Sequence, residues 1–249
     1  MPAPEPGLRP TERTGAEPIR DDERAAAFSL LPLLVTFAFY LLPHSIQASL
    51  VVQFLPQVVA YLCLASWALL NGQPVERLGL SRECFLDGVR LGAGVGFALG
   101  LVNSLVILWL VPTLGKDIGF LRETPHAALP LLVMVPWFII GIAFLVEINY
   151  RGFLLGRLHH LLTARCPLQG REVAALLALL LSALAFAFDP FMVATFRHLH
   201  WIAVWDGLIW GAMWLWRRNL YATIAAHAVE VMILYLTVRW WLDHQPGMS

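Results

Sequence analysis

The sequence predicts an all-α protein, a polytopic membrane helix bundle of about seven transmembrane spans. The chain has 249 residues, of which 59% are hydrophobic and only 14% are charged, whereas a soluble chain carries about 25% charged residues. Its mean hydropathy is +0.68, and residues 25–74 contain no Asp, Glu, Lys or Arg. This composition excludes disordered and fibrous proteins. The equal numbers of acidic and basic residues leave no basic excess for binding nucleic acid.

Uncharged stretches that are long enough to cross a bilayer define the predicted spans. A spanning helix needs about 20 mostly apolar residues, and turn-forming residues such as Pro43 divide the longer stretches. Residues 1–24 are polar and rich in Pro, so we expect a disordered cytoplasmic tail rather than a signal peptide. The predicted spans cover approximately residues 26–42, 48–70, 89–111, 129–160, 173–188, 201–216 and 220–238.

Basic residues are distributed unequally between the two sides of the membrane that these spans imply. With a cytoplasmic N-terminus, the outer segments hold only four of the 17 Lys and Arg residues, and the inner segments hold the others. Cytoplasmic segments of membrane proteins carry such an excess of basic residues. We therefore expect an integral membrane protein with its N-terminus in the cytoplasm.

Small and aromatic residues recur at helical spacing in two spans. Glycines at every fourth position of the third span, with Gly207 and Gly211 in the sixth, predict close helix packing within one chain. Five tryptophans in the sixth span are expected to face lipid or the membrane interface. The third-span glycines are Gly88, Gly92, Gly96 and Gly100, and the tryptophans are Trp201, Trp205, Trp210, Trp214 and Trp216.

Few ionisable side chains lie inside the predicted spans, and each is a candidate functional residue because its burial in lipid is costly. Glu147 follows the uncharged run 124–146, and Arg151 lies four residues later, where the two side chains can pair. His227 lies within the seventh span, and Glu230 faces nearly the same way three residues later. The Glu147–Arg151 pair could fix helix packing or serve catalysis. The three cysteines show neither a disulfide framework nor a metal-binding spacing.

Several motifs carry a resemblance to a known family. The chain contains, in this order, Glu147-Ile-Asn-Tyr-Arg151-Gly-Phe-Leu, Ser182-Ala-Leu-Ala-Phe186, Asp206-Gly-Leu-Ile-Trp and Leu220-Tyr-Ala-Thr-Ile-Ala-Ala-His227-Ala. Over about residues 130–236 this arrangement resembles the CPBP family of CAAX-protease-like and bacteriocin-processing membrane proteins, also called the ABI family. The resemblance implies an intramembrane protease fold in the last four spans.

The resemblance also implies a catalytic mechanism. Active members of the family carry Glu-Glu-x-x-x-Arg, Phe-x-x-x-His and His-x-x-x-Asn. The first Glu and the His of the second motif would activate water, and the last His and Asn would stabilise the oxyanion. This chain retains three of the family positions, as Glu147, Arg151 and His227. Three other positions hold residues whose side chains exchange no proton: Val146, Pro190 and Val231.

Three further residues are candidates for supporting roles. Asp189 precedes Pro190 directly, and His200 ends a second Phe-x-x-x-His sequence at residues 196–200. Glu230 lies near His227 on the same helix face. These side chains could compensate for the missing family residues. Whether a divalent metal takes part is open for the family, so no cofactor is assigned.

Together these patterns predict a CAAX-protease-like intramembrane endopeptidase homologue that hydrolyses peptide bonds of membrane-associated protein or peptide substrates. The three replaced positions favour an alternative, a non-catalytic membrane scaffold or binding protein derived from the protease fold. A third hypothesis is a proton-coupled transporter that uses Glu147 and His227 as relay residues. The sequence shows no internal repeat of the kind that transporters usually have.

The predicted organisation places a protease-like core after a set of N-terminal transmembrane helices. The expected partners are the lipid bilayer and a membrane-associated peptide or protein, with no nucleic acid, and the expected location is a bacterial plasma membrane. The sequence predicts no oligomeric state. The predicted regions are a tail at 1–24, N-terminal transmembrane helices at 25–128, the protease-like core at 129–242 and a short tail at 243–249.

Overall fold

The computed structural model of the protein describes residues 23–165 and 170–244, and in these ranges it is a bundle of helices without a β-strand. Four helices are long and apolar enough to cross a membrane: Arg82–Thr113 (α3), Leu131–Arg165 (α4), Gly170–Ala187 (α5) and Leu220–Asp243 (α8). The predicted fold class, an all-α membrane helix bundle, is confirmed. The helices are α1 (Ala26–Phe39), α2 (Leu55–Leu70), α3 (Arg82–Thr113), α4 (Leu131–Arg165), α5 (Gly170–Ala187), α6 (Pro190–Phe196), α7 (Ile202–Arg217) and α8 (Leu220–Asp243).

The first two predicted spans are shorter in the structure than the sequence pattern suggests. The second one is divided into a single turn, Leu50–Gln53, and helix α2. Pro56 lies at the start of α2, where a missing N–H group costs least. The remaining short helical segments connect the long helices: His44–Gln47, Pro74–Arg77, Gly119–Glu123, Pro125–Ala128 and Arg197–Leu199.

Helices α3 and α8 pack closely along the glycine stripe that the sequence predicts. A Cβ atom on Gly92 would lie 2.1 Å from the carbonyl oxygen of Ala222, and one on Gly96 would lie 2.3 Å from that of Ala226. Only glycine allows the two backbones to approach this closely. The expected packing within one chain is therefore present, and it fixes the position of α8.

Helices α5 and α7 pack in a similar way, and this packing decides which tryptophans are buried. Gly207 lies against Ala183 on α5. Trp210 and Trp214 are each only 1% exposed. The expectation that the tryptophans of this helix all face lipid is therefore wrong for these two, since close packing turns their side of α7 toward the interior. Trp216, which is 69% exposed, follows the expectation.

Helix α4 is not a uniform α-helix. Its turns Met134–Ile142 and Ile148–Leu155 are π-helical, and the α-helical turn Ala143–Glu147 lies between them. Pro136, within the first π-helical stretch, has no backbone N–H to donate. Wider turns of this kind occur frequently at functional sites. Glu147 lies directly at the junction with the second stretch.

The predicted tails fall mostly outside the described residues. At the N-terminal end, residues 1–22 are not described, but Glu23 and Arg24 contact the bundle. Arg24 donates its backbone N–H to Asn71 Oδ1 at 2.9 Å, and Asn71 Nδ2 donates to the Arg24 carbonyl at 2.9 Å. At the other end, α8 continues to Asp243, and residues 245–249 lie outside the description.

Candidate active site

Glu147, Arg151 and His227 meet in the interior of the bundle. His227 Nδ1 lies 2.9 Å from Glu147 Oε1, and Arg151 Nη1 lies 3.2 Å from the same oxygen. Glu147 and Arg151 belong to α4, whereas His227 comes from α8. The structure thus brings the three retained family positions into one group of contacts.

Local helix geometry explains why these side chains converge. Residues four apart lie on the same face of a helix, which places Arg151 beside Glu147. On α8, Ala226 faces α3, because its backbone packs directly against Gly96. The next residue, His227, points about 100° away around the helix, and this direction leads to α4.

The three residues differ in their access to solvent. Glu147 is fully buried, and the side chain of Arg151 is 1% exposed, whereas the side chain of His227 retains 10% exposure. A buried carboxylate is stable only with a charged partner or strong donors, and here the guanidinium and the imidazole provide both. His227 is therefore the member of the group that a molecule from outside can reach first.

The contact with Glu147 fixes the tautomer of His227. A carboxylate only accepts hydrogen bonds, so Nδ1 of His227 carries the hydrogen and donates it to Oε1. In a neutral imidazole the other nitrogen, Nε2, is then an acceptor. This arrangement leaves Nε2 able to take a proton from a bound water or another donor.

Two aromatic rings pack against the Arg151 guanidinium and the His227 imidazole. The Arg151 guanidinium carbon lies 4.4 Å from the ring centroid of Phe186 and 5.0 Å from that of Trp210. Trp210 also stacks on the imidazole of His227, with centroids 4.4 Å apart and an interplanar angle of 21°. Cation–π contacts stabilise a buried guanidinium. Phe186 and Trp210 therefore restrict the positions of both Arg151 and His227.

Several buried polar atoms of the site have no hydrogen-bond partner among the described residues. They include Glu147 Oε2 and Arg151 Nη2. Native structures rarely leave such atoms unsatisfied, so bound water or substrate is the natural partner here. Within the described ranges, no group of three or more His, Cys, Asp or Glu side chains is arranged to hold a metal ion.

A second buried polar cluster lies next to this group. Asn103 Nδ2 donates to Asp206 Oδ1 at 3.1 Å and to Glu230 Oε1 at 2.6 Å, and Trp205 Nε1 donates to Asn103 Oδ1 at 3.0 Å. Asp206 and Glu230 therefore share the Asn103 amide as a hydrogen-bond donor. Both carboxyl groups also interact electrostatically with Arg151. The candidate Glu230 thus belongs to an extension of the site.

The sequence pattern does not predict Asn103 and Asp206 as site residues. Asp206 could have been found by the rule that selects Glu147, since it is an ionisable residue within a predicted span. Asn103 carries a weaker signal, a single amide side chain in a glycine-rich helix. Its role depends on contacts with α7 and α8, which are distant in sequence.

The two other supporting candidates have different partners. Asp189 caps α6: its Oδ1 accepts the backbone N–H groups of Phe191 and Met192, and its Oδ2 accepts the hydroxyl of Tyr150 at 3.1 Å. His200 Nδ1 lies 2.5 Å from the carbonyl oxygen of Arg197, and its ring packs edge-on against Phe188. The contacts described for Asp189 and His200 therefore do not include Glu147 or His227.

The three replaced family positions are compatible with helix packing. Val146 packs against the hydrophobic core. Pro190 is buried as the first residue of α6, a position that favours proline. Val231 is half-buried on α8. These residues contribute apolar surface where the family motif has polar groups.

The comparisons with known proteins concern the second half of the chain. Residues 128–233 match the family described as Type II CAAX prenyl endopeptidase Rce1-like. No curated protein and no solved structure matches the chain. The matched segment contains Glu147, Arg151 and His227, whereas Asn103 lies outside it. Residues 128–233 of the chain thus match an Rce1-like type II CAAX prenyl endopeptidase domain, and this match agrees with the resemblance to the CPBP family.

Proposed function

We propose that the protein is an intramembrane endopeptidase that hydrolyses a peptide bond of a membrane-associated protein or peptide. In this proposal His227 is the general base, Glu147 orients and stabilises its imidazole, and Arg151 balances the charge of Glu147. The observation that carries the proposal is the 2.9 Å contact between His227 Nδ1 and the fully buried Glu147 carboxylate. A histidine held by a buried carboxylate is an effective general base near neutral pH.

The hydrolytic step uses the free nitrogen of His227. Nε2 takes a proton from water while the water oxygen attacks the carbonyl carbon of the scissile bond. The resulting imidazolium is stabilised by Glu147 and returns the proton to the leaving amine when the C–N bond breaks. The products are a carboxylic acid and an amine, so the atoms of water and peptide balance.

The role proposed for His227 differs from the one that the family resemblance implies. In the family scheme the last His stabilises the oxyanion, whereas a separate Glu and His activate water. Here Val146 and Pro190 occupy those two positions. The contact with Glu147 favours a base at His227 instead, and Arg151 Nη2, buried without a hydrogen-bond partner in the described structure, supplies a donor for the developing negative charge.

The experiment compares the protein termini that appear in membranes of cells producing each variant. Because the substrate is unknown, mass spectrometry of new N-termini identifies cleavage without choosing a reporter. We expect terminal peptides that depend on the wild-type protein and disappear in Glu147→Gln and His227→Gln. The matched control is Glu123→Gln, since Glu123 forms an exposed ion pair with Arg197. New termini that persist in His227→Gln at normal protein levels would contradict the proposal.

A second candidate function is a non-catalytic protein that binds a membrane segment. The apolar side chains at Val146, Pro190 and Val231 favour it, because they remove groups that hydrolysis uses elsewhere in the family. In that case, crosslinking in membranes should capture the same partner with the wild-type protein and with Glu147→Gln. In that case, mass spectrometry should find no new protein terminus that depends on the wild-type protein.

The cellular context is part of the same proposal. The protein is an integral membrane protein, and we place it in a bacterial plasma membrane with a cytoplasmic N-terminus, because the arginine distribution favours that orientation. Single cysteines introduced at Arg9 and at Lys116 should then react with a membrane-impermeant reagent from opposite sides. Equal labelling of both from the periplasm would refute the orientation.

A further inference from the structure

The indole N–H group of Trp210 is buried and has no hydrogen-bond partner among the residues that the structure describes. Two other tryptophans of α7 differ in this respect. Trp214 Nε1 donates to the carbonyl oxygen of Leu78 at 3.2 Å. Trp205 Nε1 donates to Asn103 Oδ1 at 3.0 Å. A buried indole N–H group usually has such an acceptor, so the N–H group of Trp210 is a donor that a bound molecule can use.

Packing fixes the Trp210 ring against the candidate catalytic group. Its plane lies nearly parallel to the imidazole of His227, at an interplanar angle of 21° and with centroids 4.4 Å apart. The Arg151 guanidinium carbon lies 5.0 Å from the centroid of the same ring. Because the indole is rigid and planar, these contacts also fix Nε1, which lies on the edge of the ring. The unpartnered N–H group thus lies beside the two residues to which the proposed reaction assigns the base and an oxyanion donor.

Two more unpartnered polar atoms belong to the same group of contacts. Glu147 Oε2 and Arg151 Nη2 are buried and have no hydrogen-bond partner in the described ranges. Trp210 and Arg151 supply only donors, whereas an ionised Glu147 supplies an acceptor. Native structures rarely leave such atoms unsatisfied. A peptide group has a carbonyl oxygen and an N–H group, and its oxygen offers the acceptor that both donors lack.

The proposed hydrolysis needs donors at the carbonyl oxygen of the substrate. When water attacks the carbonyl carbon, the electron pair of the C=O bond moves to the oxygen, which becomes negative. Enzymes that cleave acyl groups commonly place two N–H groups at this position. The proposed reaction assigns one of them to Arg151 Nη2, and Val231 has no side-chain donor at the position where the family motif has Asn. A second donor from another helix completes the pair.

We propose that the Nε1–H group of Trp210 is the second oxyanion donor and acts together with Arg151 Nη2 on the carbonyl oxygen of the scissile peptide bond. This inference rests on the proposed peptidase function and adds to it a catalytic residue from α7. The N–H group donates a hydrogen bond and keeps its proton, so the proton balance of the reaction is unchanged. The hydrogen bond strengthens as the oxygen becomes negative, and it weakens when the C–N bond breaks and the C=O bond forms again.

The packing role and the donor role of Trp210 use different parts of its side chain. Stacking on His227 uses the face of the indole, whereas donation uses the N–H group at its edge. An amino acid that keeps the fused rings but lacks the N–H group separates the two roles. In 3-benzothienylalanine a sulfur atom takes the place of the indole N–H group, and the shape of the ring system is nearly unchanged. A role in packing alone predicts normal cleavage by this variant.

The test introduces 3-benzothienylalanine at position 210 of the full chain by stop-codon suppression. The probe is a synthetic peptide that spans a wild-type-dependent cleavage site identified in membranes, and its cleavage is measured under single-turnover conditions in nanodiscs. We expect the cleavage rate to fall about 100-fold, with little change in the dissociation constant of the peptide. Trp210→Phe also lacks the N–H group, and it should show a similar loss if the benzothienyl variant does not fold.

The matched control is the same replacement at Trp214, which is equally buried on α7 but donates to Leu78. It should lower the thermal midpoint and leave the cleavage rate near that of the wild type. A wild-type cleavage rate in a folded Trp210 variant, or equal losses at both positions, would overturn the inference and leave the peptidase function standing. An effect on the dissociation constant alone would also overturn it. If no terminus depends on the wild-type protein, the peptidase function is refuted, and the inference with it.

Discussion

Trp210 lies nearly parallel to the imidazole of His227, with ring centroids 4.4 Å apart. The same indole contacts the guanidinium of Arg151. One buried side chain from α7 therefore orients two residues of the candidate site, one on α4 and one on α8. This relationship links the packing of the bundle to the geometry of the Glu147–His227 contact.

Replacing Trp210 should damage both stability and the site. Trp210→Ala removes a fully packed indole, so we expect a loss of about 3–5 kcal/mol in the free energy of unfolding. Trp216→Ala, on the same helix but 69% exposed, should have little effect. Thermal unfolding in detergent compares the two variants. Equal midpoints would show that Trp210 does not support the bundle.

The contact between α3 and α8 predicts a sharp difference between two neighbouring glycines. A Cβ on Gly96 would collide with the backbone of Ala226, whereas nothing lies within 4 Å of one on Gly94. Gly96→Ala should therefore destabilise the protein by about 1–3 kcal/mol through overpacking. Gly94→Ala should be neutral or slightly stabilising, because alanine favours helix. A thermal midpoint for Gly96→Ala at or above that of Gly94→Ala would contradict this packing.

The sequence predicts the parts of the site that depend on local spacing. The four-residue interval places Arg151 beside Glu147. The motif around His227 resembles the family motif, and this resemblance indicates that His227 and Glu147 belong to the same site. The glycine interval likewise predicts the close packing of α3. These features depend on a single helix or a single motif, and helix periodicity determines which side chains share a face.

Other features depend on which side of a helix faces its neighbours. Trp210 was expected to face lipid and is buried instead, because the interior of a membrane bundle and the lipid around it are both apolar, so hydropathy does not separate them. Asn103 contacts residues more than 100 positions away. Glu23 falls within the predicted tail, and its burial depends on basic groups from two distant segments.

Asn103 should be important for the polar cluster between α3, α7 and α8. Its amide donates to both Asp206 and Glu230, and it is completely buried. Asn103→Leu leaves the two carboxyl groups without this donor, so we expect a loss of about 1–3 kcal/mol in stability. Combining it with Glu230→Leu should recover part of that loss, because one unpaired acceptor is removed. Additive effects in a double-mutant cycle would argue against a direct interaction.

Asp189 distinguishes a capping role from a catalytic one. Its carboxylate caps α6 and accepts hydrogen bonds from Gln57 and Tyr150. Asp189→Ala removes the cap, which costs about 1 kcal/mol, and it also leaves the Tyr150 hydroxyl without its acceptor.

Asp189→Asn retains a side-chain oxygen for the backbone N–H groups, so it should fold with a thermal midpoint close to that of the wild type. An asparagine cannot exchange a proton in catalysis. Because the proposed mechanism assigns Asp189 no proton transfer, this change should not affect cleavage. Asp189→Asn should therefore produce the same new protein termini in membranes as the wild type. Loss of those termini in a normally folded Asp189→Asn variant would instead place this carboxylate in the reaction.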